Sequence, residues 1–154
     1  IIKAAERLSD KFNLQTVVMC PSNIESNIFS KINNKVEYKI ATDNNYDLLK
    51  HSRFGIIKSG TSTLEAGLFS LPMVVVYSAS ALTYGIGKML IKIKNIALIN
   101  IVAGKTIVDE LIQNDVNENL IVEKCSAILS DENKIKLIKN ELDKIKTKLG
   151  DAET

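Results

Sequence analysis

Histidine occurs once in this chain of 154 residues, at His51, and cysteine twice, at Cys20 and Cys125. A serine–histidine or cysteine–histidine mechanism would therefore hang on one side chain. His51 falls at the end of a predicted helix, where a capping or exposed role is expected. The cysteines stand far apart, outside any metal-ligand spacing, and read as buried thiols of a reducing compartment. Neither sign of charge is in excess: 20 Lys and Arg against 18 Asp and Glu leave +2. That is too little to argue for nucleic acid, and no basic patch interleaved with aromatics occurs. No signal peptide, internal repeat or low-complexity linker is visible. The charge-free stretch 66–87 is broken by Pro72, rich in Ser and Thr, and changes period from helix to strand to helix, which argues against a membrane span.

What remains is an ordinary soluble composition, 45% hydrophobic and 25% charged, in a length that suits one domain with a substantial core. The chain begins without Met, directly in a helical pattern, and is expected to be a fragment or a processed piece.

Helix-like and strand-like segments alternate. Helices are predicted over 1–12, 23–32, 46–51 (capped by Asn44 or Asn45), 61–69, 83–93, 117–129 and 131–149. Strands are predicted over 16–20, 36–41, 54–57, 73–77 and 96–98, with 101–105 as a loop. Apolar strands separated by helices imply an α/β class, a Rossmann-like doubly wound parallel sheet covered on both faces. Ligands of such sheets bind beyond the carboxyl ends of the strands. Ile135, Ile138, Leu142, Ile145 and Leu149 form an apolar stripe on the last helix, read as packing on the domain's own sheet or on a neighbouring domain ahead of a zipper. The domain is expected over 1–130, incomplete at its start, with 131–154 as a C-terminal helix and tail.

The segment Lys58-Ser59-Gly60-Thr61-Ser62-Thr63-Leu64-Glu65-Ala66-Gly67 carries the chemistry. It sits where a strand turns into a helix, so unpaired amides at the helix start point past the strand end, where the helix dipole favours a phosphate. Glu65, one turn in, would accept from ribose hydroxyls. The bland alternative is a capping box between Ser62 and Glu65.

Three blocks together resemble the lipid-A-disaccharide synthase family, glycosyltransferases of GT-B fold. The first runs from Ser59 to Glu65. The second is Leu71-Pro72-Met73-Val74-Val75-Val76-Tyr77 with Leu82-Thr83-Tyr84 and Lys88. The third is Ile99-Asn100-Ile101-Val102-Ala103-Gly104-Lys105, continuing through Val108, Glu110-Leu111 and Gln113. The resemblance runs from residue 1 to about 129 and covers only the C-terminal, donor-binding half of the family enzyme. It implies transfer of 2,3-diacylglucosamine from UDP-2,3-diacylglucosamine to 2,3-diacylglucosamine 1-phosphate (lipid X), with inversion and release of UDP. It implies no catalytic residue in this chain, the base belonging to an absent N-terminal domain, and no metal or other cofactor.

By the same match Ser59, Gly60, Thr61 and Thr63 would line the diphosphate pocket, Glu65 would hold the ribose, and Asn100 with Gly104 would shape the donor side. Glu110 and Gln113 would close the pocket, or else sit on a solvated helix face. Partners implied are the two lipid substrates, the N-terminal domain, the cytoplasmic side of the inner membrane and a second copy of the chain, with no nucleic acid. Tyr84, Lys88, Met89, Leu90, Ile91, Lys92 and Lys94 would form an interfacial surface or an ordinary amphipathic helix. Ser78, Ala81, Gly85, Ile99 and Lys105 depart from the family's usual residues; Lys105 keeps the charge of an arginine without its bidentate fork. Two other readings stay open: another UDP-N-acetylglucosamine transferase or epimerase of this fold, and a non-catalytic nucleotide-binding or dimerisation module.

Overall fold

The central strand of the molecule is the run Met73–Tyr77, whose three consecutive valines suit a strand buried on both faces. The computed structural model describes residues 1–20, 38–42, 44–79 and 95–150. Within these ranges the order is α1 (Ile2–Phe12), β1 (Val17–Met19), β2 (Lys39–Ala41), α2 (Asn45–His51), β3 (Gly55–Lys58), α3 (Thr61–Leu68), β4 (Met73–Tyr77), α4 (Leu98–Ala103), β5 (Asp109–Ile112), a 3₁₀ turn (Gln113–Asp115), α5 (Glu118–Leu129) and α6 (Glu132–Gly150). The helices predicted over 23–32 and 83–93, with the interfacial surface built on the latter, lie outside the described residues.

Two parallel sheets result. In one, β1 pairs with β2 from Val17 opposite Lys39 to Met19 opposite Ala41. In the other the order is β3-β4-β5. Gly55 lies opposite Met73 and Lys58 opposite Val76, while Val74 faces Asp109 and Tyr77 faces Ile112. The class is α/β with parallel strands, as expected.

Alternation along β4 divides the core in two. Val74 and Val76 join Ala4 and Leu8 of α1, Leu111 of β5, and Ile121, Cys125, Ile128 and Leu129 of α5. Met73 and Val75 join Ala66 of α3, Ala97 and Ile99 around α4, Val108, and Leu142 and Ile145 of α6. Helices thus cover both faces of the three-stranded sheet. The stripe on α6 is taken up by these cores: Ile135 belongs to the first, Leu142 and Ile145 to the second, and Ile138 packs against both. Burial pushes the Cys125 thiol up to about 12, with the charge of Asp109 adding to the effect, so the thiol stays neutral and inert.

Side chains mark the helix ends. Asn117 accepts from the Leu120 amide at 3.0 Å at the start of α5, and Asp131 accepts from the amides of Asn133 and Lys134 at the start of α6. Asn13, in the left-handed region at φ 51°, closes α1 with its N–H on the Ser9 carbonyl.

Two expectations fail. The strand over 96–98 and the loop over 101–105 are instead α4, a helix over Leu98–Ala103 closed by Gly104 at φ 68°. Its apolar composition suits either element; packing of Ile99 on α3 and the side-chain bonds of Asn100 decide for a helix. Asp109–Ile112 is a strand that the sequence conceals, because Asp and Glu are poor strand formers. Its register beside the buried β4 overrides that preference.

The α3–α4 contact has no room to spare. A methyl group on Gly67 would lie 2.4 Å from Cδ1 and 2.8 Å from Cγ1 of the buried Ile99. Gly67→Ala is therefore expected to lower stability in urea unfolding by about 1–3 kcal/mol despite the better helix propensity of alanine. Adding Ile99→Val, which removes Cδ1, should restore part of that loss.

Near the same contact Glu141 accepts from Lys105 and from Lys144. The Lys105 hydrogen bond, then that of Lys144, holds its carboxyl down from 4.5 to about 2. A depressed carboxyl stabilises the fold above its unfolded value and loses that contribution as the pH falls through the folded value. The stability difference between the native chain and Glu141→Gln should accordingly be constant at neutral pH, shrink below pH 4.5, and vanish near pH 2 in urea unfolding curves.

Candidate functional site

At the carboxyl end of β3 the ladder extends one residue further, with the Ser59 amide on the Val76 carbonyl at 2.9 Å. Gly60 follows at φ 151° and ψ −163°, a backbone region open essentially to glycine alone. Among the described residues, its chain neighbours aside, no atom stands within 4 Å of where its Cβ would be, so the requirement is conformational. Thr63 is fully buried, and both its amide (3.1 Å) and its Oγ1 (2.8 Å) donate to the Gly60 carbonyl. The threonine locks the glycine turn.

Helix α3 starts at Thr61, and no side chain caps it. Ser62 lies inside the helix, so the capping box with Glu65 does not form. Thr61 and Ser62 are exposed, and as the first residues of a helix their amides have no intrahelical acceptor. Glu65 is half-buried, and its carboxylate has neither a hydrogen-bond nor an ion-pair partner among the described residues.

A second group of side chains builds the neighbouring wall. Asn100 is fully buried. Its Oδ1 accepts from the amides of Ile107 (2.8 Å) and Val108 (3.1 Å), and its Nδ2 donates to the Val108 carbonyl and to Glu110 Oε1, both at 2.8 Å. All four bonding positions of the amide are filled. The Glu110 carboxylate takes two further donors, the amides of Ile96 (2.7 Å) and Ala97 (3.1 Å). Ser59 closes the circuit by donating its Oγ proton to the Ile96 carbonyl at 3.1 Å. Beyond β5, Gln113 at φ 55° pairs with the backbone of Ala79, accepting from its amide at 2.8 Å and donating to its carbonyl at 3.1 Å.

The structure thus brings Ser59, Asn100 and Glu110 into one hydrogen-bonded network, with Gly60, Thr61, Thr63 and Glu65 on the adjoining turn and helix. Gln113 sits at the same strand-end edge of the sheet, tied to the exit of β4. Gly104 stands apart, at the opposite end of α4, next to the ion pair of Lys105 with Glu141. Glu110 lies on a strand and its carboxylate is engaged, so the solvated-helix alternative for it does not hold. Sequence reasoning overlooked the Ile96 and Ala97 amides, which carry no side-chain signal, and Ser62, whose hydroxyl sits on the exposed first turn. No group of three His, Cys, Asp or Glu among the described residues is placed to hold a metal, and no described helix is long and apolar enough to cross a membrane.

The Asn100 node is sensitive to a single atom. Asn100→Asp replaces the Nδ2 donor with an oxygen facing the Val108 carbonyl and the Glu110 carboxylate. We expect a loss of about 3 kcal/mol at pH 7 in urea unfolding.

Comparison with known proteins supplies an independent constraint. A family model described as Lipid-A-disaccharide synthetase matches residues 1–154. The lipid-A-disaccharide synthase of Sulfurihydrogenibium sp. is 35% identical over 163 residues, covering 97% of this chain and 42% of the relative. That of Syntrophus aciditrophicus is 44% identical over 105 residues, covering 68% and 27%. That of Geobacter sulfurreducens is 31% identical over 153 residues, covering 97% and 40%. The chain spans less than half the length of these curated relatives, and its network of Ser59, Asn100 and Glu110 lies inside the matched region. It belongs to the lipid-A-disaccharide synthase family.

Proposed function

We propose that this chain is the donor-binding half of a GT-B hexosyltransferase, a Rossmann-like unit that holds the UDP portion of UDP-2,3-diacylglucosamine. The observation that carries the reading is Glu65: a half-buried carboxylate without a partner among the described residues, one turn into a helix that starts at the carboxyl end of the sheet. A carboxylate there suits the two hydroxyls of a ribose, as charge-assisted acceptor. The amides at the start of α3, with the exposed hydroxyls of Thr61 and Ser62, suit the diphosphate.

In the whole enzyme the 6-hydroxyl oxygen of 2,3-diacylglucosamine 1-phosphate attacks the anomeric carbon of the donor sugar. The bond from that carbon to the diphosphate oxygen breaks, UDP leaves with the electron pair, and the hydroxyl proton passes to a base. The product is the tetraacylated disaccharide 1-phosphate, with inverted configuration at the attacked carbon. This chain contributes leaving-group stabilisation by preorganised donors. The base and the acceptor pocket belong to the part of the relatives that it does not span. Acylated substrates place the enzyme at the cytoplasmic surface of the inner membrane. Departures such as Ser78 and Lys105 bear on acyl preference and leave the nucleotide site intact.

Calorimetric titration with UDP and with 2′-deoxy-UDP tests the assignment. The native chain should bind UDP saturably and prefer it to the deoxy compound. Glu65→Ala should weaken UDP by about tenfold or more and lose the preference. Saturable binding with no effect of Glu65→Ala would remove the ribose role. No binding by the folded native chain would remove the donor-site reading.

A further inference from the structure

The Glu110 carboxylate is engaged by three donors of its own chain: Oε1 accepts from Ala97 N–H and Asn100 Nδ2, and Oε2 accepts from Ile96 N–H. The peptide held in this way offers its other face, the Ile96 carbonyl, to the Ser59 hydroxyl. We infer that Glu110 is a positioning residue for the nucleotide site, fixing Ser59 through the Ile96 carbonyl and presenting its hydroxyl as an acceptor. This rests on the reading of the Ser59–Glu65 turn as the donor site.

The argument is one of proton direction. A carbonyl oxygen accepts only, so the proton of the Ser59 hydroxyl points at Ile96 and its lone pairs are what remain for a ligand. Such a hydroxyl receives an N–H or O–H of the nucleoside and repels a bare phosphate oxygen. If the Ile96 carbonyl shifts, the rotor is released and the preference is lost. Two features keep it from shifting. The acceptor is charged, which strengthens each of its three bonds, and its own position is set by β5, in register with the buried Val75 of β4. Gln113 makes an equivalent backbone anchor three residues on, at Ala79, so the strand-end edge is tied down from β5 at two points.

Glu110→Gln tests the link, because it keeps the shape and changes one atom. The remaining oxygen satisfies Ala97 and Asn100, and the new amide nitrogen faces the Ile96 N–H, donor against donor. Amide hydrogen exchange should rise by about tenfold at Ile96 and little at Ala97. UDP affinity should fall by about tenfold in Glu110→Gln and in Ser59→Ala, and by no more in the double variant, since both act through one contact. Additive losses, or UDP affinity unchanged in Glu110→Gln while the native chain binds, would overturn the inference and leave the donor site standing. Absence of UDP binding by the native chain would instead strike the underlying reading, and the inference with it. Should Glu110→Gln fail to fold, Ser59→Ala reports on the same link from its other end: faster exchange at Ala97, whose N–H shares a peptide with the Ile96 carbonyl, supports it, and unchanged exchange there overturns it.

Discussion

Burial of β4 on both faces constrains everything else in this molecule. A parallel strand covered on each side must carry apolar residues at every position, and Met73 to Val76 do so. Its backbone groups are then satisfied only by β3 and β5, which fixes both neighbours in register. The three strands end together, and the segments that follow them, starting at Ser59, Ser78 and Gln113, are delivered to one edge. Polar chemistry collects at this edge because neither face of the sheet has room for it.

The polar network at that edge, centred on the buried Asn100, is stable because it is complete. Asn100 fills all four of its bonding positions and Glu110 receives three donors, so neither is left to bear the cost of an unpaired group in a low dielectric. The same completeness makes the network rigid. It joins α4 to β5 and, through Ile96, to the end of β3. The start of α4 is therefore held by a carboxylate from another element rather than by a capping residue of its own, which is why no local cap is visible at Ala97.

The fold was legible where apolar runs and punctuation agreed. The strands at 17–19, 55–58 and 73–77 and the helices at 2–12, 61–68 and 118–129 lie close to where periodicity and capping residues place them. It was illegible where a segment answers to tertiary context. Leu98–Ala103 has the composition of a strand or a buried helix, and only Gly67 opposite Ile99 and the bonds of Asn100 decide. Asp109–Ile112 looks polar because its acidic side chains serve other elements: Asp109 lies 3.7 Å from Lys124, and Glu110 holds the Ile96–Ala97 backbone. A single sequence encodes these obligations at separations of 10 to 37 residues, beyond the reach of local pattern.

At the site, the motif read correctly as a turn while the tasks of its residues divide differently from their chemical types. A row of hydroxyls invites the view that each grips the ligand. Thr63 instead spends its proton on Gly60 and Ser59 spends its own on Ile96. These side chains shape the loop, and among the described residues the backbone beside Gly60 and the unpartnered Glu65 carboxylate are what stay available. This division has a physical basis. Amides at a helix start make good anion donors only if their orientation is already set, since orienting them during binding would subtract from affinity. A buried threonine and a strand-borne glutamate supply that orientation in advance, each through a short chain of hydrogen bonds that ends on the backbone.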